Sequence, residues 1–309
     1  MKKQLLLKGL MLLCFLGIVQ GVYSQKINLK YLGAAGWIIN DGETTILIDP
    51  YLTRLKLGNG PSTSKADVRK IHADSDYFKS DTITINKIID KADYILVHHS
   101  HFDHLADVPY IAKKTGAKVI ATETSCKILS AYGIPDEQMI MVKGGEDYQF
   151  EKFSIRVIPS IHSALGDKHY FDSRKYTEEP KTPFKIGDFI EGGSLMFLLR
   201  FNEKKIMTMG SMNFVEREIE GIHADILLAG VNFSRNEIYK YTERLLKATG
   251  FPEIVIPTHW DNFRVPYGFY KSQQTAVEKK IKPFIKEVKA ASPKSKVITP
   301  VHLETFTIK

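Results

Sequence analysis

The chain has only two cysteines in 309 residues, so a disulfide framework is excluded as the source of its stability. Cys14 lies in the first segment and Cys126 alone remains beyond it. The fold must therefore rest on its core, and Cys126 in "ETSCKILSAY" reads as a buried helix residue. Long apolar runs are missing too. The run Leu10–Val19, behind Lys2, Lys3 and Lys8, falls short of the roughly 20 residues needed to cross a bilayer core of about 30 Å. With Val22, Tyr23 and Ser24 after it, residues 1–24 read as a signal peptide cut before Gln25. Leu13 stands before Cys14 where a lipid-attachment site needs a small residue, which argues against lipidation. The expected mature protein is exported, periplasmic or secreted, with no stable membrane span after cleavage.

A strong excess of one charge is also absent. The formal charge of +8 falls to +5 when the three leader lysines are removed, leaving 40 basic against 35 acidic residues. These are spread along the chain rather than gathered in a stripe, so nucleic acid is not favoured as a partner.

What remains is an ordinary globular composition, 43% hydrophobic and 25% charged, enough for a sizeable core. Strand-like and helix-like runs alternate without a separating linker, which predicts one α/β domain over residues 25–309. "GWIINDGETTILIDP" reads as a hairpin turning at Asn40-Asp41-Gly42, and "SLMFLLRFNEKKIMTMGS" as a second one. Two hairpins in corresponding places suggest two related halves, each a sheet with helices on one face. Helical spacing predicts helices over Leu105–Lys114, Ser125–Tyr132, Asn236–Thr249 and Tyr270–Ala290. Residues 55–82 and 163–192 break the alternation, and loops of that length usually border a site.

Of the ten histidines, four fall within "HHSHFDH", residues 98–104. The stretch follows the strand-like "DYILV", hence the C-terminal edge of a sheet, where α/β folds place chemistry. His99 and His101 point the same way in an extended segment, and Asp103 and His104 lie on the following turn. Asp103 could serve as a helix N-cap and the histidines as polar loop residues; the repeated donor types at this spacing favour a metal site. His98 should face away from His99.

The pattern His99, His101, Asp103, His104 resembles the HxHxDH signature of the metallo-β-lactamase superfamily. His162 in "VIPSIHS" and His259 in "IVIPTHW" stand where that superfamily supplies its later histidines. The opening "YLGAAGWIINDGETTILIDPYL" is similar to the branch containing ascorbate-phosphate lactonases and the phospholipase D-like hydrolases of N-acyl-phosphatidylethanolamine. The resemblance covers the chain from about Leu29 onward. It implies an αββα sandwich with His99, His101 and His162 around one ion and Asp103, His104 and His259 around a second. Such ligands suit zinc, one or two ions, with iron or manganese also compatible.

One departure stands out: where the superfamily commonly has a bridging Asp after the second hairpin, this chain has Gly210-Ser211. A hydroxyl is a poorer ligand than a carboxylate, so the second ion should bind more weakly. Asp49, closing "TILIDP", reads equally as an acceptor behind a ligand imidazole or as a turn residue. His72, His223 and His302 lie outside the motif. His169, Tyr170 and Phe171 open the insertion after His162 and are candidates for a substrate lid, or else simply pin a long loop to the domain.

The resulting expectation is a hydrolase in which metal-activated water attacks an ester, lactone, amide or phosphoester of a small or lipid-like substrate, with Asp103 orienting the water and delivering its proton. The alternatives are a phosphodiesterase or nuclease of the same superfamily and a non-catalytic exported metal-binding protein.

Overall fold

A computed structural model of the chain describes residues 26–58, 67–165, 168–170, 172–201 and 204–308. The predicted signal peptide and Phe171 lie outside these residues. The strands, in chain order, are β1 (Ile27–Gly33), β2 (Gly36–Asn40), β3 (Thr45–Ile48), β4 (Tyr94–Leu96), β5 (Lys118–Thr122), β6 (Met139–Val142), β7 (Asp147–Gln149), β8 (Ser154–Ser160), β9 (Ala164–Leu165), β10 (His169–Tyr170), β11 (Ser194–Phe201), β12 (Lys204–Met209), β13 (Ile226–Gly230), β14 (Ile254–Thr258), β15 (Lys296–Val297) and β16 (Thr305–Ile308). They form two large sheets, ordered β16-β1-β2-β3-β4-β5-β6 and β15-β14-β13-β12-β11-β8-β7, with β9 and β10 as a separate hairpin.

The two sheets share a plan. Each has an antiparallel portion that includes a predicted hairpin, β2–β3 or β11–β12, followed by parallel strands. The first hairpin turns as its residues dictate: Asn40 Oδ1 accepts from Gly42 N at 2.9 Å, Asp41 Oδ1 accepts from Thr44 N at 2.7 Å, and Gly42 takes a φ of +101° that suits glycine.

Trp37, Ile39, Phe197, Leu199 and Met207 belong to one buried cluster that joins the sheets. Trp37 Nε1 donates to Thr258 Oγ1 at 3.0 Å, linking β2 to β14. Strand β11, "SLMFLLRF", is buried almost throughout, as a strand covered on both faces must be. On the outer face of the first sheet, α1 (Thr82–Ile88), α2 (Phe102–Leu105), α3 (Val108–Thr115) and α4 (Glu123–Ala131) set Ile85, Leu105, Ile111 and Ile128 against Leu47, Ile95 and Val119. Beyond the second sheet, α5 (Glu216–Ile219), α6 (Tyr241–Ala248), α7 (Tyr270–Ala276) and α8 (Lys282–Ala291) bury Ile219, Leu245, Ala276 and Phe284. This is the expected αββα sandwich.

Three helices differ from expectation. The one predicted from Leu105 is divided around Asp107, whose carboxylate instead accepts from Leu52 N and Thr53 N, each at 2.8 Å, and from Thr53 Oγ1 at 2.6 Å. The one predicted from Asn236 starts at Tyr241, because Phe233–Glu237 winds as a 3₁₀ turn and Lys240 adopts a φ of +46°. The last helical run contains a π turn at Val277–Ile281 between α7 and α8. Tertiary hydrogen bonding at Asp107 overrode a periodicity that carried no sign of it.

A buried ion pair locks the halves together. Arg54 Nη2 lies 2.7 Å from Asp261 Oδ2, and Arg54 also donates to the carbonyls of Val265 and Asn262 at 2.7 and 2.8 Å. Asp261 further accepts from Ala34 N at 2.8 Å, Tyr31 OH at 3.1 Å and His302 Nε2 at 2.9 Å. Although burial opposes it, Arg54 and His302 hold this carboxyl well below its ordinary range. A Cβ on Gly33 would come within 2.0 Å of Arg54 Nη1, so only glycine lets the guanidinium through.

Removing one member strands the other in the interior, which typically costs about 3–5 kcal/mol. Arg54→Met should lower unfolding stability by about that amount in chemical denaturation; a loss below about 1 kcal/mol would mean that the pair is structurally dispensable.

Candidate metal centre

Every candidate ligand hangs from one edge of the sandwich. Asp49 follows β3, residues 98–104 follow β4, His162 follows β8, Ser211 follows β12 and His259 follows β14. The strands of each sheet run in register, so their carboxyl ends bring residues more than 150 positions apart into one cluster.

Two groups of donor atoms converge, His99 with His101 and His162, and Asp103 with His104 and His259; within each, the atoms lie within 4.8 Å of one another. In the first, all three pairs of ring centroids are 4.8 Å apart and the rings meet at 81–86°. His99 Nε2 is 3.0 Å from His101 Nδ1. Three imidazoles on one tetrahedral ion with bonds of about 2.0–2.1 Å would have centroids about 5 Å apart, so this triangle fits a metal. His162 Nδ1 lies 2.9 Å from the Ser163 carbonyl, leaving Nε2 for the cluster. In the second group, Asp103 Oδ2 is 3.2 Å from His259 Nε2 and 3.5 Å from His104 Nε2.

Asp49 sits behind both motif turns. One of its oxygens, Oδ2, lies 2.6 Å from Nδ1 of His104 and 2.6 Å from Nδ1 of His98, while Oδ1 accepts from His98 N at 2.9 Å. Of its two readings, the imidazole acceptor is therefore realised, and it fixes Nε2 of His104 toward the site. His98 faces away from His99 as expected, with Nε2 2.8 Å from Thr208 Oγ1. A Cβ on Gly210 would approach His98 Cβ to 2.3 Å, so glycine before Ser211 lets β12 close on this histidine. Ser211 Oγ accepts from Ser163 N at 3.0 Å and lies 3.2 Å from Ser163 Oγ, tying down the loop that carries His162.

His259 is held in a left-handed conformation, φ +54°, with its N–H donating to Ala34 O at 2.7 Å. Asp49 is likewise left-handed at φ +39°. Such conformations cost on the order of 1–3 kcal/mol for residues other than glycine; here the hydrogen bonds of Ala34, Asp261 and the two imidazoles hold them in place.

The electrostatics separate the two groups. Burial first, and then His104 and the other imidazoles, push His99 well below its ordinary value. Burial and His162 push His101 down to about 3. For His104, burial is overcome by Asp49 and Asp103, and its value rises. Asp103 is lowered by His104 and His259 against its burial, and Asp49 falls to about 2 against its burial, through His98 and His104. The first group thus favours neutral imidazoles with lone pairs to donate, whereas His104 in the second keeps its proton to higher pH than an ordinary imidazole, so that binding there competes with protonation.

The groups open into a cavity of about 420 Å³. Its wall includes Ser211, Asn232, Phe263 and Arg264, and the long insertion contributes Asp172, Arg174, Ile186, Gly187 and Phe189. His169 is exposed on β10 and is not among these lining residues, and nothing is described of the Tyr170 side chain. Sequence reasoning missed Asp172, whose Oδ2 is 4.0 Å from His101 Nε2, and Phe263, whose ring centroid is 5.3 Å from that of His259. Neither belongs to a spaced motif, though Phe263 follows the final histidine by only four residues. His302, outside the motif, supports the site indirectly by donating to Asp261, and His72 pairs with Asp76 at 3.3 Å.

Comparison with known proteins identifies the family and the fold. The β-lactamase superfamily domain family matches residues 28–259. A UPF0173 metal-dependent hydrolase of Heliobacterium modesticaldum is 25% identical over 77% of this chain and 84% of its own length. Another of the same description, from Carboxydothermus hydrogenoformans, is 32% identical over 46% of this chain and spans only 50% of that relative. Among solved structures, Igni18, described as a novel metallo hydrolase from the archaeon Ignicoccus hospitalis, is 19% identical with a TM-score of 0.59, over 92% of this chain and 99% of that one. At that identity the likeness speaks for the fold.

In metal-free protein, histidine-resolved NMR at about pH 6 should find His99 and His101 neutral and His104 protonated. Neutral His104, or His99 titrating near its ordinary value, would refute this division of charge.

Proposed function

The chain belongs to the β-lactamase superfamily domain family, matched over residues 28–259, and on that premise we propose that it is a metal-dependent hydrolase whose ligands are His99, His101 and His162 for one ion and Asp103, His104 and His259 for another. The observation that carries the reading is the triangle of neutral imidazoles, equal in its three centroid distances. Zinc is the ion we propose, one or two per chain, and iron or manganese suit the same donors. Ser211 in place of a bridging carboxylate makes the second ion the weaker, since its hydroxyl is engaged with Ser163.

A divalent ion held by these residues would acidify a water at neutral pH and polarise the bond to be cleaved. The chain's own residues then divide the work. Asp103, its carboxyl held low against its burial by His104 and His259, orients the attacking water, takes its proton and passes that proton to the leaving group. Asp49 keeps His104 in the tautomer that presents Nε2. Phe189 and Phe263 exclude water from the apolar part of the substrate, and Arg174 and Arg264 at the wall favour one bearing negative charge.

The substrate we propose is a small or lipid-like ester, lactone, amide or phosphoester. The likeness of the opening strands to the lactonase and N-acyl-phosphatidylethanolamine hydrolase branch supports this range. The leader-like residues 1–24 support export. A nuclease reading has less support, because the cavity of about 420 Å³ accommodates a small ligand. A non-catalytic metal binder is separated by turnover.

Asp103→Asn should lower zinc-supported hydrolysis of generic ester, lactone or phosphodiester probes by roughly 10²–10⁴-fold, with chelation abolishing the remainder. Full activity in a correctly loaded variant would remove Asp103 from the mechanism, and no turnover of any probe by the wild type would favour the binding protein. After exhaustive dialysis, elemental analysis should find fewer ions in the wild type than in Ser211→Asp; equal content would show that Ser211 does not weaken the second site.

A further inference from the structure

A second cavity, of about 530 Å³, adjoins the metal-side cavity and shares Asn232, Phe263 and Arg264 with it. Its far wall is formed by Phe233 and by Lys279 and Lys280 of the π turn. Lys280 is only 9% exposed. No hydrogen bond or ion pair joins it to any described residue; its ammonium lies 5.1 Å from the centroid of the Phe233 ring. The single carboxylate on the wall, Asp261, is already engaged by Arg54 and His302.

We propose that this second cavity is an anion subsite, in which Lys280, with Arg264 and Lys279 beside it, receives a carboxylate or phosphate of the substrate while Phe233 and Phe263 flank its apolar part. The proposal rests on the hydrolase reading for the word substrate, and on the cavity alone for the anion.

The physical case is one of unmet demand. A buried ammonium without a counter-ion is unfavourable, and such groups are ordinarily paired. Here the neighbours add to the positive field instead: Arg264 and Lys279 line the same space, and Arg235 is close enough to oppose the charge on Lys280. Burial brings Lys280 down to about 8, with Asp261 acting against that and Arg235 with it. An arriving anion would supply the missing partner in a partly desolvated setting, where a charge-assisted hydrogen bond is strong. The π turn is the local device, since one extra residue per turn rotates the helix face, and such turns frequently occur at functional sites. Phe263 lines both cavities, its ring centroid 5.3 Å from that of His259 and 6.0 Å from the Arg264 guanidinium. In the proposed binding mode one ligand spans the shared wall, with its scissile bond at the histidine groups and its charge at Lys280.

The test uses the full chain after chelation, so that no metal offers a competing anion site. Calorimetry would compare phenyl phosphate and benzoate with neutral benzyl alcohol on wild type, Lys280→Met, Lys280→Arg and the surface control Lys289→Gln. We expect both or one of the anions to bind the wild type and the control alike, at least tenfold more weakly to Lys280→Met, and to regain affinity in Lys280→Arg; the preferred anion identifies the head group. Equal anion binding in Lys280→Met and the wild type, or no preference over benzyl alcohol, would overturn the subsite. If Lys280→Met fails to fold, Lys280→Arg and Arg264→Gln carry the test, the second expected to weaken anion binding and the first to keep it. In metal-loaded protein, an anionic aryl ester should show a lower KM than its neutral analogue, a difference lost in Lys280→Met. Anion binding without turnover of any ester, lactone, amide or phosphoester probe would leave the subsite standing and refute the hydrolase reading, whereas turnover without anion preference would do the reverse.

Discussion

One oxygen of Asp49 receives two imidazoles, each at 2.6 Å, and the rest of the centre is arranged around that bond. A carboxylate this deeply buried is costly unless its charge is matched, and here His98 and His104 share the task. The backbone of Asp49 is left-handed to bring the carboxyl between them. Because His98 is anchored to Thr208 and His104 leads directly from Asp103, the same bond fixes the start of the motif to the second sheet and aims its end at the cavity.

From that anchor the centre divides into two electrical environments within a few ångströms. Burial and the neighbouring imidazoles lower His99 and His101, outweighing Asp103 and Asp172 at His101, whereas His104, facing both Asp49 and Asp103, is raised against its burial. On the metal reading proposed above, neutral nitrogen donors on one side and a mixed carboxylate and imidazole set on the other would give sites of unequal affinity and pH sensitivity. Ser211 deepens the asymmetry by replacing a potential charge with a hydroxyl committed to Ser163.

The far side of the centre depends on the Arg54–Asp261 pair. Asp261 grips Ala34 N, and the Ala34 carbonyl in turn accepts from His259 N, so the guanidinium sets the last histidine through two hydrogen bonds. The same short loop carries Phe263 and Arg264 to the boundary between the two cavities. Structural contacts and the proposed recognition residues thus share six residues after β14.

By itself the sequence determined the donor residues and the repeated sheet plan. HxHxDH after a strand is legible because local spacing dictates which side chains point together, and the Asp-Gly turn and alternating strands dictate the hairpins. His162 and His259 were legible through family resemblance. The tertiary structure alone decided which oxygen serves His104, that Asp107 interrupts a helix to hold residues 52 and 53, that Asp172 rather than His169 is the insertion residue beside His101, and that Lys280 is buried over the Phe233 ring with no hydrogen bond or ion pair to a described residue. The physical reason is range. Periodicity and turn chemistry act over a few residues, but burial, charge pairing and cavity walls are properties of segments brought together by packing, and no window of the chain contains both partners.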